Sequence, residues 1–162
     1  MSVDDLISSA LDGRGGGLLG THLFALAGDP STSEMFVLNL QDFFTENYHH
    51  FLQGVNAPAF LLGAYYKEED ARKCIDSIRN EGLHAPGLVY NPDWHVLLWK
   101  VETNELYTLT LLDYYVGFLA VFKAKRAWEI VILNIFTTKE AAEDMIEFIH
   151  LYIKDENGNI IH

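Results

Sequence analysis

Asp42, Glu46, His49 and His50 form the most ligand-like grouping in the chain. On a helix, Asp42, Glu46 and His49 or His50 fall at i, i+4 and i+7 or i+8, so their tips share one face. A carboxylate and an imidazole four residues apart can hold a divalent metal, as the motif H-E-x-x-H does. No second histidine stands at that spacing and no third ligand accompanies the group. A solvated face opposite Phe43, Phe44 and Phe51 explains the same residues, so no metal site is expected.

Cys74 is the one cysteine, and a catalytic thiol must reach its thiolate form. It shares a helix face with Ala71, Ile75 and Ile78, where an apolar setting raises the pKa and leaves the sulfur inert. The glycines between Gly13 and Gly20 suggest a phosphate loop at first sight. Such a loop needs a strand before it and a helix after it, and no Lys-Ser/Thr pair follows. A linker is the better reading. No catalytic residue and no cofactor are expected.

Charge carries more information. The 162 residues hold 11 basic and 23 acidic side chains, a net charge of -12. Residues 1–66 contain a single cation, Arg14. Glu140, Glu143, Asp144 and Glu147 make an acidic outer face on the last predicted helix. No basic stripe is present to neutralise phosphates, and an anionic lipid surface would repel the chain. Nucleic acid and membrane are therefore excluded as partners, and a basic protein is the first to consider. Trp94 and Trp99 add aromatic anchors of the kind enriched at interfaces. His95 beside them is the histidine best placed for a pocket.

The elements that must position these residues follow from periodicity. Ser2 and Asp5 start a helix with Val3, Leu6, Ile7, Ala10 and Leu11 on one face, and Gly13 stops it. Residues 1–20 thus read as a helix plus a Gly-rich hinge. Residues 22–27 and 34–40 read as strands joined by a turn through residues 28–31. A helix over 41–53 ends at Gly54, a strand spans 60–66, and a helix over 67–81 stops at Gly82. Residues 87–90, 95–101, 106–112, 114–123 and 128–136 are strand-like, with short polar turns that force an antiparallel meander. Thr137 and Glu140 make a capping box for the last helix, and residues 154–162 form a tail.

An offset of 71 pairs Phe60-Leu61-Leu62 with Val131-Ile132-Leu133, Tyr65 with Phe136, Glu69 with Glu140, Ala71 with Ala142 and Ile75 with Ile146. Two strand–helix units of one length result. Common strand–helix physics accounts for them more simply than duplication does.

Two stretches resemble known families. Asp42-Phe43-Phe44-Thr45-Glu46-Asn47 is similar to the turn into a helix of barstar-type inhibitors, and with the strand–helix–strand that follows, the resemblance spans residues 34–91, about a third of the chain. Leu62-Gly63-Ala64-Tyr65 and Gly82-Leu83-His84-Ala85 resemble the repeats of peptidoglycan-binding SPOR domains, with a longer intervening meander. The chain is assigned to neither.

The expected architecture is a single α+β domain over residues 1–162. It has one antiparallel sheet of about five to seven strands with two or three helices on one face. The expected function is that of a non-enzymatic cytoplasmic binding module, an acidic inhibitor-, immunity- or chaperone-like protein for a basic protein partner. Its contact residues would be Asp42, Glu46, Glu140, Glu143, Asp144, Glu147, Trp94 and Trp99. Two other readings stay open: a small-molecule-binding protein or enzyme with a pocket near His95, and a structural subunit of a homodimer or larger homo-oligomer.

Overall fold

Phe24–Asp29, Phe60–Tyr65, His95–Lys100 and Ile130–Phe136 carry apolar residues at consecutive rather than alternate positions. A strand with such a run must bury both of its faces. The computed structural model describes residues 23–29, 31–81, 93–123 and 129–152, and these four segments are its strands β1, β3, β4 and β6. Glu34–Asn39 and Glu105–Thr110 form β2 and β5. The helices are α1 (Leu40–Gln53), α2 (Glu68–Glu81), α3 (Leu111–Lys123) and α4 (Lys139–Tyr152). The helix expected near residues 2–11, the Gly-rich hinge, the strand at 87–90 and the tail at 154–162 lie outside the described residues.

The class is α+β, but the strands do not form one meander. They make two three-stranded antiparallel sheets, ordered β2-β1-β3 and β5-β4-β6. The meander fails at residues 114–123, expected as a strand and folded as the helix α3. Its Tyr, Val and Phe content favours a strand, yet the Asp113 N–H donates to Thr110 Oγ1 (3.1 Å), which caps a helix there. Burial of Leu111, Tyr114 and Tyr115 then overrides intrinsic preference. For the same reason β5 stops at Thr110 instead of continuing to Leu112.

Helices also cover both faces of each sheet, not one. Ala25, Ala27, Leu61 and Ala64 join Val96, Leu98, Ile132 and Ile135 in a central cluster with Leu40, Phe43, Phe44, Leu111 and Tyr114 of α1 and α3. The opposite faces pack on their own helices. Leu26, Leu62 and Tyr65 meet Ala71, Cys74 and Ile75 of α2. Leu97, Trp99, Leu133 and Phe136 meet Ala142, Met145 and Ile149 of α4.

The two halves are one ββαβα unit used twice. Phe24 and His95 open equivalent strands, Leu40 and Leu111 equivalent helices, and Glu68 and Lys139 another pair, each 71 residues apart. Finer features repeat at the same interval. The register of β1 on β3 shifts between Leu26 and Ala27, and that of β4 on β6 shifts between Leu97 and Leu98. Each bulge reverses the alternation of its strand, so Leu61 and Ala64, like Ile132 and Ile135, reach the central cluster from positions three apart. Ser33 and Asn104 are the two positive-φ non-glycine residues among those described, at 62° and 57°. General strand–helix physics places neither a bulge nor a left-handed residue, so the offset reflects repetition of the whole unit.

The halves interlock through their helices. α1 packs against β6 and α3 against β3, each in the other half. β3 and β6 pair on one side only, which leaves a row of backbone groups to be satisfied on the other. The Leu61 N–H donates to the Tyr114 hydroxyl of α3 (3.1 Å), and Asn47 Nδ2 of α1 donates to the Ile132 carbonyl (2.8 Å). Leu61 and Ile132 are equivalent positions, so each inner edge is engaged by a side chain from the opposite half.

Removing the Tyr114 hydroxyl as Tyr114→Phe leaves the Leu61 N–H buried without a partner. It should cost about 1–3 kcal/mol in urea unfolding. The two turns should respond in opposite senses to glycine. Ser33→Gly removes left-handed strain and should stabilise by about 0.5–1 kcal/mol. Asn104→Gly also deletes the acceptor for Trp99 Nε1–H (2.9 Å) and should lower the melting temperature.

Candidate functional site

α4 presents the densest charge of one sign. Ala141, Ala142, Met145, Phe148 and Ile149 are buried, which turns Glu140, Glu143, Asp144 and Glu147 to solvent. The N-cap is Thr138, one residue later than the expected Thr137: the Ala141 N–H donates to Thr138 Oγ1 at 3.1 Å. Glu140 therefore stands in the first turn, where an acid suits the helix dipole. The other acids gain nothing of that kind. Glu140 and Asp144, and likewise Glu143 and Glu147, are like charges four apart, which costs a helix a few tenths of a kcal/mol per pair. Lys139 Nζ lies 3.7 Å from Glu143 Oε1, but both side chains are over half exposed, so the pair contributes little.

The other half shows that the unit does not require acids at two of these four positions, while Glu140 and Glu147 correspond to Glu69 and Asp76. Glu143 and Asp144 correspond to Arg72 and Lys73 of α2, which face solvent in the same way. There Arg72 Nη2 reaches Glu68 Oε1 at 2.6 Å, and the outer face is mixed in sign.

α1 carries a second, shorter acidic strip. Asn39 caps the helix by accepting the Gln41 N–H (2.8 Å), and Gly54 closes it at φ 70°. Leu40, Phe43, Phe44, Asn47, Tyr48 and Phe51 are buried, so Asp42, Glu46 and His49 point outward together. Among the described residues no three His, Cys, Asp or Glu side chains converge to hold a metal ion.

The aromatic residues divide. Trp99 is 1 % exposed and packs edge-on to Phe51, with ring centroids 5.2 Å apart. It is a core residue and offers a partner no surface. Trp94 is half-buried against the central cluster, and its carbonyl accepts the Leu111 N–H that begins α3. His95 opens β4, half-buried, with Nδ1 enclosed and unpartnered.

Cys74 is buried against Tyr65 and Tyr115. Burial pushes its thiol above the ordinary range, against a smaller opposing effect from the Tyr65 hydrogen bond, so nucleophilic chemistry is disfavoured. Burial likewise pushes the phenols of Tyr48, Tyr114 and Tyr115 well above their usual range. Around Tyr65 the packing is close: a Cβ on Gly63 would lie 2.9 Å from the outer end of the Tyr65 ring, so a larger residue there would displace that ring.

Sequence reasoning passed over one surface. Leu112 and Val116 of α3 are 43 % and 59 % exposed. An apolar run read as a strand conceals an outward helix face, and the signal that could have found it is the 71-residue alignment of Leu111 with Leu40.

No family model matches the chain, and neither a curated protein nor a solved structure matches it.

The buried phenols set an alkaline limit. An unfolded tyrosine loses its proton near pH 10, whereas Tyr48 and Tyr114 hold theirs in the folded state. Above that pH the folded chain binds more protons than the unfolded one, so stability falls as pH rises. Denaturant midpoints should show no contribution from these groups up to about pH 9, then a decline of about 1.4 kcal/mol per pH unit for each such tyrosine. Absorbance titration of the folded protein should show both phenols silent near pH 10.

Proposed function

We propose that the chain is a non-enzymatic protein-binding module that docks a basic protein partner on the outer face of α4. The observation that carries this reading is the sign change between equivalent positions: Arg72 and Lys73 on α2 are Glu143 and Asp144 on α4. A fold that tolerates either sign at these sites does not need the acids for itself. Charge concentrated at some cost to its own helix is what steering and docking of a cationic surface use.

Glu140, Glu143, Asp144 and Glu147 are the principal contacts in this reading, with Asp42 and Glu46 as a second strip and Trp94 as the remaining aromatic. The partner would be blocked or chaperoned, as inhibitors, immunity proteins and secretion chaperones act. Nucleic acid is disfavoured by the same charge. A cytoplasmic setting suits a lone buried thiol with no disulfide partner. Among the described residues no helix is long and apolar enough to cross a membrane.

A small-molecule site near His95 has one observation in its favour. His95 Nδ1 and Thr108 Oγ1 are enclosed without partners, and the β4–β5 register puts both on one sheet face. It ranks second because the histidine is not held by a carboxylate through Nδ1, as a general base would be.

The test is a charge exchange that copies the residues of α2 onto α4. Glu143→Arg with Asp144→Lys should leave thermal stability unchanged or raise it by a few tenths of a kcal/mol, as like-charge pairs vanish. The unaltered protein, immobilised at about 0.01 M salt, should retain a basic protein from its native source. That complex should weaken at about 0.15 M salt, where the screening length falls from about 30 to 8 Å, and should be lost in the double variant. Equal binding by the double variant, or recovery of no basic protein, would count against the reading.

A further inference from the structure

Cys74 of α2 shares its buried cluster with Tyr65 of β3 and Tyr115 of α3, so a thiol and two phenols from three elements meet in the outer core of one half. The other half builds the equivalent core without them. At the offset of 71, Cys74 corresponds to Met145, Tyr65 to Phe136 and Tyr115 to Phe44, all three buried. The other five members of the cluster are apolar in both halves: Leu26, Leu62 and Ala71, for example, correspond to Leu97, Leu133 and Ala142. Gly63, where a Cβ would displace the outer end of the Tyr65 ring, corresponds to Asn134. The three exchanges that add an S–H or O–H group therefore converge on one place, and the repeated unit does not need them to fold.

A buried hydroxyl without a partner is a cost that phenylalanine avoids. Tyr115 is 2 % exposed, and its hydroxyl is enclosed and unpartnered. Burial, and after it the neighbouring Cys74, holds this phenol protonated, so it remains a donor. Tyr65 hydrogen-bonds the thiol. Sulfur is a weak acceptor, so two O–H donors face a group that serves them poorly. An oxygen atom on that sulfur would serve both.

We propose that Cys74 is an oxidation site, converted by hydrogen peroxide to a sulfenic acid that is held between the Tyr65 and Tyr115 hydroxyls. The sulfur attacks one peroxide oxygen: the S–O bond forms, the O–O bond breaks, and the departing hydroxide takes the thiol proton and leaves as water. Sulfur is oxidised and the peroxide is reduced. Burial keeps the thiolate fraction small and this step slow, and the same enclosure decides the fate of the product. A sulfenic acid ordinarily condenses with a second thiol, but Cys74 is the one cysteine of the chain. At 5 % exposure its sulfur gives a peptide-sized thiol no approach, whereas peroxide is little larger than water. The added oxygen ties β3 and α2 of one half to α3 of the other.

The test treats the full chain with excess hydrogen peroxide and locates the added oxygen by mass spectrometry of the intact protein and its peptides, which separates Cys74 from the three methionines. One oxygen should appear on Cys74, persist while the protein is folded, and be removed by a small thiol once the chain is unfolded, as a sulfinic acid would not be. Oxidation should also raise the melting temperature. Tyr65→Phe with Tyr115→Phe copies the other half, so the reduced variant should fold. In it the single-oxygen form should be at least about 10-fold scarcer, the loss of two hydrogen bonds near the low end of their range, and oxidation should not raise the melting temperature. Tyr115→Phe alone, which breaks no bond of the reduced protein, should show a smaller loss in the same direction. Absence of oxygen from Cys74 of the unaltered protein overturns the proposal. So does a single-oxygen form that persists equally in the phenylalanine variants, since the phenols would then play no part.

Discussion

Two backbone edges govern this architecture. β3 and β6 each pair with a neighbour on one side only, and they lie against one another without exchanging backbone hydrogen bonds. A buried edge of that kind carries groups whose isolation costs about as much as a lost hydrogen bond each. Tyr114 and Asn47 meet that requirement at equivalent positions, Leu61 and Ile132, from helices that belong to the opposite half. Had β3 and β6 paired directly, the sheets would have merged and neither helix would be needed across the boundary. Because they do not, α1 and α3 each reach across to the other half, and the central cluster draws on both.

Repetition of the unit also lets the molecule serve as its own comparison. What the halves share reflects the demands of the fold: the bulges after Leu26 and Leu97, the left-handed Ser33 and Asn104, and the leucines at 40 and 111. What they do not share is open to other uses. The outer side of α4 differs from that of α2 in sign at Glu143 and Asp144, and the outer side of α3 differs from that of α1 in polarity at Leu112 and Val116. The two departures have different physical consequences, one acting over a screening length and the other only on contact. A surface of each kind can therefore serve a different neighbour without conflict.

Much of this was legible in the residues. The 3.6-residue stripes of α1, α2 and α4 and the Gly54 stop identify helices close to their observed bounds. The strands at 24–29, 34–39, 60–65 and 95–100 lie within a residue or two of their expected places. The acids of α4 are outward because the same period that buries Met145 and Ile149 exposes Glu143 and Glu147. α3 was not legible, since Tyr, Val, Phe and Leu suit a buried strand and a buried helix equally and periodicity cannot separate them. Nor was the setting of Trp99, because Leu97, Leu98 and Trp99 are apolar in succession and both faces of β4 are covered.

The sequence by itself determined the α+β class, three helices, most strands, the acidic face and the interval of 71 residues, because each follows from local spacing and composition. Tertiary structure alone decided that the strands form two sheets, that residues 111–123 are helical, that Trp99 is core and that the halves exchange helices. These depend on which backbone edges find partners and which apolar surfaces meet. Such outcomes are set by contacts between residues far apart in the chain, as Asn47 and Ile132 are, and no local pattern encodes them.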